Sequence, residues 1–119
     1  MHELAIATPL LKIVLEELNK HSDNQNLEVK EIYINVGVLV DLEIKTLEAC
    51  FKLLAENTKA QNALLTIEKQ AMHGYCMECK KEVKTIKRSF SCPLCSKDKV
   101  EWKGGRELYI SSITVKTCQ

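Results

Sequence analysis

The chain has 119 residues and a formal net charge of +1, with 45% hydrophobic and 28% charged residues. This length supports one modest hydrophobic core, so a second unit of about thirty residues would need a metal or disulfides to fold. A charge so close to zero argues against a bulk polyelectrolyte partner such as nucleic acid. Because the sequence shows neither a secretory signal nor an uncharged run of about 18 residues, we expect a cytoplasmic protein with no membrane segment and with reduced thiols.

The first predicted element is an amphipathic helix over residues 4–18. Its apolar positions recur at helical spacing and are Leu4, Ala7, Leu11, Val14 and Leu18. Pro9 conflicts with a helix interior, because it removes a backbone hydrogen bond at a cost of about 3 kcal/mol. Two alternatives stay open: a helix kinked near Ala5, or a helix that begins at Thr8 with Pro9 in its first turn.

A half-buried strand is predicted after a polar loop at residues 21–26. From Lys30 onward, apolar and polar residues alternate strictly, and the apolar face consists of Ile32, Ile34, Val36 and Val38. Gly37, near the end of this strand, indicates a bulge or the close approach of another backbone.

A second helix is predicted to run from about Asp41, as its N-cap, to about Asn57. Its inner face consists of Leu47, Cys50, Phe51 and Leu54, and Cys50 is interpreted as a small buried hydrophobe. A short strand follows over residues 64–68. A last strand begins after residue 105, and its alternation changes phase near Ser111 and Ser112, which indicates a bulge. We expect this last strand to join the sheet of the first half, so that the residues before it form an insertion.

Four of the six cysteines form two Cys-x-x-Cys pairs, Cys76 with Cys79 and Cys92 with Cys95, separated by twelve residues. Two thiolates on each of two turns, joined by a hairpin, provide the four ligands of a tetrahedral zinc ion. A site made of four thiolates has no open position for water or substrate, so it is structural. Iron in the same site and a thioredoxin-like redox role for one pair are the alternatives.

The hairpin between the cysteine pairs is basic. Five cations, namely Lys80, Lys81, Lys84, Lys87 and Arg88, stand against Glu82 and leave a local charge of +4. A zinc ribbon that binds nucleic acid, or that serves as a protein-interaction module, is therefore the alternative function. Phe90 is the only aromatic residue inside this hairpin, which is too few for base stacking, and we prefer a solvated basic hairpin.

The amino terminus carries a second candidate metal site. The amine of Met1, the deprotonated backbone nitrogen of His2 and the His2 imidazole lie nearly in one plane, which suits Ni(II) or Cu(II). Glu3 and Asp41 are candidate carboxylates that either ligate the ion or orient the imidazole. Serine, histidine and acidic residues are too scattered for a nucleophilic triad, and no phosphate-binding glycine loop is present, so we do not expect an enzyme.

Three features coincide in one known family. They are Met1-His2-Glu3-Leu4 at the start of a helix, the paired Cys-x-x-Cys motifs, and the closing strand Gly105-Arg106-Glu107-Leu108-Tyr109-Ile110-Ser111-Ser112-Ile113. Together they resemble the HypA/HybF nickel metallochaperones, which assist the maturation of NiFe-hydrogenase. The resemblance spans essentially the whole chain in the right order. Pro9 departs from the polar or small residue that is usual at its position in the family.

The resemblance implies an α+β fold with two helices on a three-stranded sheet and an inserted zinc ribbon. It assigns residues 1–72 and 106–119 to a nickel-binding domain and residues 73–105 to the ribbon. It implies Ni(II) as cargo, held at His2 with the Met1 amine and with Glu3 and Asp41 nearby, and structural zinc at the four paired cysteines. The implied partners are a nickel-handling GTPase, the hydrogenase large-subunit precursor and, in some organisms, urease accessory proteins. The resemblance does not set the oligomeric state, so the chain is expected as a monomer or homodimer.

Overall fold

The computed structural model describes residues 3–23 and 26–117. This part of the chain contains two helices and six strands. The helices are α1 (Glu3–Lys20) and α2 (Ile44–Leu54). The strands are β1 (Leu27–Gly37), β2 (Leu64–Gln70), β3 (Met72–Cys76), β4 (Lys81–Thr85), β5 (Val100–Lys103) and β6 (Leu108–Thr117). No helix in these ranges is both long and apolar enough to cross a membrane.

The strands form two three-stranded sheets, ordered β2-β1-β6 and β4-β3-β5. The predicted α+β fold is confirmed, and the last strand does join the sheet of the first half. Contacts divide the chain into a first unit, Met1–Ile34, Leu42–Ile67 and Ile110–Gln119, and a second unit, Asn35–Asp41 and Glu68–Tyr109. The predicted ribbon falls within the second unit, and its domain boundaries at residues 73 and 105 stay a prediction.

Helix α1 runs without interruption through Pro9, so the alternative that it begins at Thr8 is wrong. Its buried stripe consists of Ala7, Leu10, Val14 and Leu18. These positions are three or four residues apart and so lie on one face, whereas the predicted Leu11 lies at the edge of that face and is half-buried. Leu4, also predicted to be inside, is 53% exposed.

Helix α2 begins at Ile44, and its N-cap is Glu43 rather than the predicted Asp41. The Glu43 side chain accepts a hydrogen bond of 3.2 Å from the N–H of Lys45, one of the free donors of the first turn. Asp41 lies too far upstream to reach those donors, so the predicted cap is wrong. Leu47 and Phe51 form the buried face, while Cys50 and Leu54 are only half-buried.

Two glycines allow the end of β1 to approach the start of β6 closely. The N–H of Gly37 donates to the carbonyl of Glu107 at 2.7 Å, and the N–H of Leu39 donates to the carbonyl of Gly105 at 2.7 Å. A Cβ atom at residue 37 would lie 2.2 Å from the carbonyl oxygen of Gly105, which itself has a φ of +91°. The predicted close backbone approach is therefore confirmed, and no larger residue fits at position 37.

A carboxylate joins β1 to β2 within the first unit. Glu31 is half-buried and accepts hydrogen bonds from the Thr66 hydroxyl and, at 2.9 Å, from the Tyr33 hydroxyl. The hydrogen bond from Thr66, followed by that from Tyr33, lowers the pKa of Glu31 below its usual range. The hydrogen bonds to the ionised carboxylate therefore stabilise the fold fully at pH values above the pKa of Glu31 in the unfolded chain. This stabilisation is lost as the pH falls through the lower pKa that Glu31 has in the folded chain.

We expect Gly37→Ala to lower the free energy of unfolding by about 1–3 kcal/mol, because the added methyl group overlaps a backbone carbonyl. Urea unfolding followed by circular dichroism measures this change. Lys30→Ala, at an exposed position of the same strand, is the control and should change the stability by less than about 0.5 kcal/mol. Equal midpoints for the two variants would contradict the close approach.

We expect Thr66→Val to raise the pKa of Glu31 toward the ordinary value of about 4.3, because it removes the main donor to the carboxylate. An NMR titration of the Glu31 side-chain carboxyl carbon measures the pKa directly. Thr114→Val, at an exposed position of β6, is the matched control and should leave it unchanged. An identical Glu31 titration in wild type and Thr66→Val would show that the hydroxyl has no such effect.

Candidate metal centre

The four paired cysteines converge on one point of the second unit. The Sγ atoms of Cys76 and Cys95 are 3.6 Å apart, those of Cys79 and Cys92 are 3.8 Å apart, and all four lie within 4.8 Å of one another. Four sulfur atoms placed tetrahedrally at 2.3 Å from zinc are about 3.8 Å apart, whereas a disulfide requires about 2.05 Å. The four thiols therefore fit a single tetrahedral ion, and disulfide bonds do not link them.

Each Cys-x-x-Cys pair is a tight turn closed in the same way. The N–H of Lys80 donates to the carbonyl of Cys76, and the N–H of Ser96 donates to the carbonyl of Cys92, both at 2.8 Å. Lys80 and Ser96 have positive φ angles of 56° and 66°, the left-handed conformation that reverses the chain after each pair. The backbone thus brings both thiols of each pair to the same side of its turn.

A small sheet holds the first of these turns in place. Cys76 ends β3, where it pairs with Lys81 on β4 and with Val100 on β5. Behind the sulfur atoms, Val83 is 6% exposed and packs with the partly buried Val100 and Trp102. So few apolar side chains bury little area, and a metal ion bound by the four thiols would add a cross-link to this sheet.

The thiols differ in acidity. Burial opposes ionisation of Cys92, but hydrogen bonds from the N–H groups of Cys95 and Leu94 outweigh it and lower the pKa of Cys92 to about 7. The hydrogen bond with the Cys76 thiol, followed by burial, raises the pKa of Cys79 to about 12. A bound divalent cation must therefore displace protons from thiols that would otherwise keep them, so acid weakens metal binding.

The predicted nickel ligands are only partly described by the structure. Met1 and His2 lie outside the described residues. Glu3 is the first residue of α1, and its Oε2 accepts a 3.1 Å hydrogen bond from the N–H of Glu43. This places the Glu3 carboxylate at the N-terminus of α2, where the helix dipole favours negative charge.

Asp41, the other predicted carboxylate, belongs to the second unit. Its side chain is 76% exposed, and its Oδ1 lies 3.7 Å from Nη1 of Arg88. The other terminal nitrogen of Arg88 donates to the carbonyl of Leu39 at 3.1 Å. The roles of Glu3 and Asp41 as nickel ligands stay predictions.

Two residues that form these contacts, Glu43 and Arg88, were not predicted from the sequence. Glu43 is not one of the usual cap residues, which are Ser, Thr, Asp and Asn, so its type does not mark it as the N-cap of α2. Arg88 was considered only as one cation of the basic hairpin. Arg88 is 49 residues from Leu39 along the chain, so no local pattern indicates their contact.

The chain is similar to proteins of hydrogenase maturation. The family model described as "Hydrogenase/urease nickel incorporation, metallochaperone, hypA" matches residues 1–115. Hydrogenase maturation factor HypA of Desulfatibacillum aliphaticivorans is 34% identical over 97% of this chain and 87% of its own length. HypA of Rhizobium leguminosarum bv. viciae is 31% identical over 97% of this chain and 99% of its own length.

A solved structure shows the same fold. The solution structure of the Ni metallochaperone HypA from Helicobacter pylori is 20% identical to this chain and superimposes with a TM-score of 0.61. The match covers 95% of this chain and 96% of that one. At this level of identity the likeness concerns the fold alone.

We expect Cys76→Ser to weaken zinc binding by more than about 100-fold, since altering a group that merely hydrogen-bonds to a ligand already costs 10–100-fold. Metal analysis after dialysis against a chelator measures the zinc retained per chain, and circular dichroism reports the folding of the β4-β3-β5 sheet. Cys50→Ser, outside the cluster on α2, is the matched control and should retain its zinc. A full zinc equivalent in Cys76→Ser would contradict the four-thiolate site.

Proposed function

Since the chain belongs to the HypA family of nickel metallochaperones, we propose that it delivers Ni(II) for the maturation of a NiFe-hydrogenase. The observation that carries this proposal is the family match over residues 1–115, which includes both the amino-terminal motif and the four cysteines. The family description names a metallochaperone and not an enzyme. Nickel is therefore cargo that the chain must bind and then release.

The proposed nickel donors are the Met1 amine, the backbone nitrogen of His2 and the His2 imidazole. A planar arrangement of nitrogen donors suits Ni(II), and such donors can leave the ion one at a time when a partner takes it. Copper binds nitrogen donors more tightly, so selectivity for nickel must come from metal availability and from the partner. The contact of Glu3 with the N–H of Glu43 supports a fixed start of α1, directly after His2.

Zinc is the proposed resident ion, held by Cys76, Cys79, Cys92 and Cys95. The family, the sulfur spacing and the small apolar cluster behind the sulfur atoms support this assignment. When bound, zinc cross-links the two Cys-x-x-Cys turns. With all four positions taken by thiolates it has no site for substrate, so its contribution is to the fold.

The proposed partners are a nickel-handling GTPase and the hydrogenase large-subunit precursor in the cytoplasm. Urease accessory proteins are a further proposed partner, which the family description supports by naming urease beside hydrogenase. Nucleic-acid binding through the basic hairpin has less support. Among the described residues, Arg88 already pairs with Asp41, which reduces the free positive charge of that hairpin.

We expect untagged protein to bind nickel and His2→Ala to lose most of that binding, because the substitution removes the imidazole donor. Calorimetry gives the affinity, and the visible absorption of planar Ni(II) identifies the coordination. His21→Ala is the matched control, since His21 is an exposed histidine outside the amino-terminal motif. One extra residue before Met1 should have the same effect as His2→Ala, because it moves the amine out of the chelate.

Nickel affinity should also fall as pH decreases from 8 to 6, because the amine and the imidazole, with ordinary pKa values of about 7.8 and 6.5, must lose their protons to ligate. If His2→Ala and the extended chain both keep the wild-type stoichiometry and spectrum, the proposed terminal site is wrong.

A further inference from the structure

One face of the β4-β3-β5 sheet is turned to solvent. Residues opposite each other on antiparallel strands point to the same side of a sheet, and so do residues two apart on one strand. One side of this sheet carries Met72, Cys76 and Val83, which are buried. The other side, called the outer face below, carries six exposed residues, namely His73 and Tyr75 on β3, Glu82 and Lys84 on β4, and Glu101 and Lys103 on β5.

The strand register arranges these six residues in two rows that run across the sheet. The acidic row has Tyr75 at its centre, paired with the glutamates of β4 and β5. The basic row has His73 at its centre, paired with the lysines of the same two strands. The rows are two residues apart along each strand, which is about 7 Å. Each row therefore holds charges of one sign, and the two rows have opposite signs.

The four charged side chains of the outer face form no ion pair among residues 3–23 and 26–117. Opposite charges that meet across strands usually stabilise a sheet, but each row of this sheet places like charges on its two outer strands. A groove of about 370 Å³ also runs over the outer face, beside Tyr75, which is 40% exposed. An open groove with unpaired charges is typical of a surface that binds a partner of complementary charge.

A second copy of the chain has the surface that complements this one. When two outer faces meet about a two-fold axis that runs across the strands, midway between the rows, the acidic row of each copy lies on the basic row of the other. Each glutamate then faces the lysine on the same strand of the partner copy, and Tyr75 faces the partner's His73. A two-fold axis parallel to the strands would place each row on the row of the same sign, so the charges select a single arrangement.

The outer face is small, so the association is weak. Its residues span about 10 Å across the strands and about 7 Å along them, far less than the roughly 800 Å² per partner of a stable interface. Exposed ion pairs are also individually weak and are screened by salt. We therefore expect a dissociation constant of about 0.1 to 1 mM, as for a transient interface.

We propose that the outer face joins two copies of this chain in a weak, symmetric dimer that salt dissociates. The acidic and basic rows identify the occupant, because a second copy supplies the matching rows at the matching spacing without any further protein. The inference is independent of nickel delivery, since none of the proposed nickel donors belongs to β3, β4 or β5.

Sedimentation velocity and NMR diffusion of full-length, zinc-loaded protein, from about 0.02 to about 1 mM, test the dimer. In about 20 mM salt the apparent mass should rise with concentration toward twice that of the chain. In about 500 mM salt it should stay at that of a monomer, because salt screens exposed ion pairs. Amide signals of the β4-β3-β5 sheet should shift with concentration, whereas those of α1 and α2 should not.

Charge reversal tests whether the dimer forms through the outer face. Lys84→Glu with Lys103→Glu makes both rows acidic, and Glu82→Lys with Glu101→Lys makes both rows basic. Each double variant alone should associate at least about tenfold more weakly than wild type, because like charges then face each other across the axis. An equimolar mixture of the two should associate at least as strongly as wild type, because an acidic face then meets a basic one. Zinc content and circular dichroism should show that both variants stay folded.

Lys12→Glu with Lys52→Glu is the matched control, since it makes the same change in net charge as the acidic variant, at exposed positions of α1 and α2. It should keep the wild-type association. A wild-type chain that stays monomeric at about 1 mM in low salt would overturn the inference and leave the outer face to another protein. Self-association of either reversed variant, a mixture that stays monomeric, or loss of association in the control would overturn it equally.

Discussion

The second unit depends on one constraint, that four sulfur atoms lie within 4.8 Å of one another. Four thiolates this close repel one another, and a central cation would offset that repulsion. Four protonated thiols would hold the sulfur atoms in this arrangement less strongly than a central cation would. The positive φ angles of Lys80 and Ser96 are tolerated because the two turns must present their sulfur atoms to one point. The strands around them bury little apolar area, so the cluster and the sheet stabilise each other.

The two carboxylates that the sequence suggests as nickel ligands each have a contact within the fold. Glu3 accepts the Glu43 N–H at the start of α2, and Asp41 faces the guanidinium of Arg88. Both contacts are exposed and therefore weak, so they would not prevent either carboxylate from binding a metal ion. A deeply buried ligand set would hold the ion more firmly and would need a larger conformational change to give it up.

Much of the fold could be read from local patterns. The alternation from residue 32 to residue 38 and the return of the last strand to the same sheet both follow from periodicity, because burial of one sheet face is a local property of the chain. Predictions from the sequence were wrong where two neighbouring residues are almost equally suited to the same structural role. Leu10 and Leu11 differ by 100° around α1, and only packing selects Leu10. Asp41 is a better cap residue than Glu43 by propensity, but the helix begins where Glu43 can reach the Lys45 N–H.

The sequence by itself determined the paired cysteines of the candidate metal site, the two helices, the three strands of the β2-β1-β6 sheet, and the family, because each of these is encoded in the spacing of residues along the chain. Only the tertiary structure decided what the carboxylates contact. Glu3 meets Glu43 across 40 residues and Arg88 meets Leu39 across 49, so these contacts exist only after the chain has folded. The candidate metal ligands can therefore be predicted from the sequence, while the contacts of the candidate carboxylates are a property of the fold.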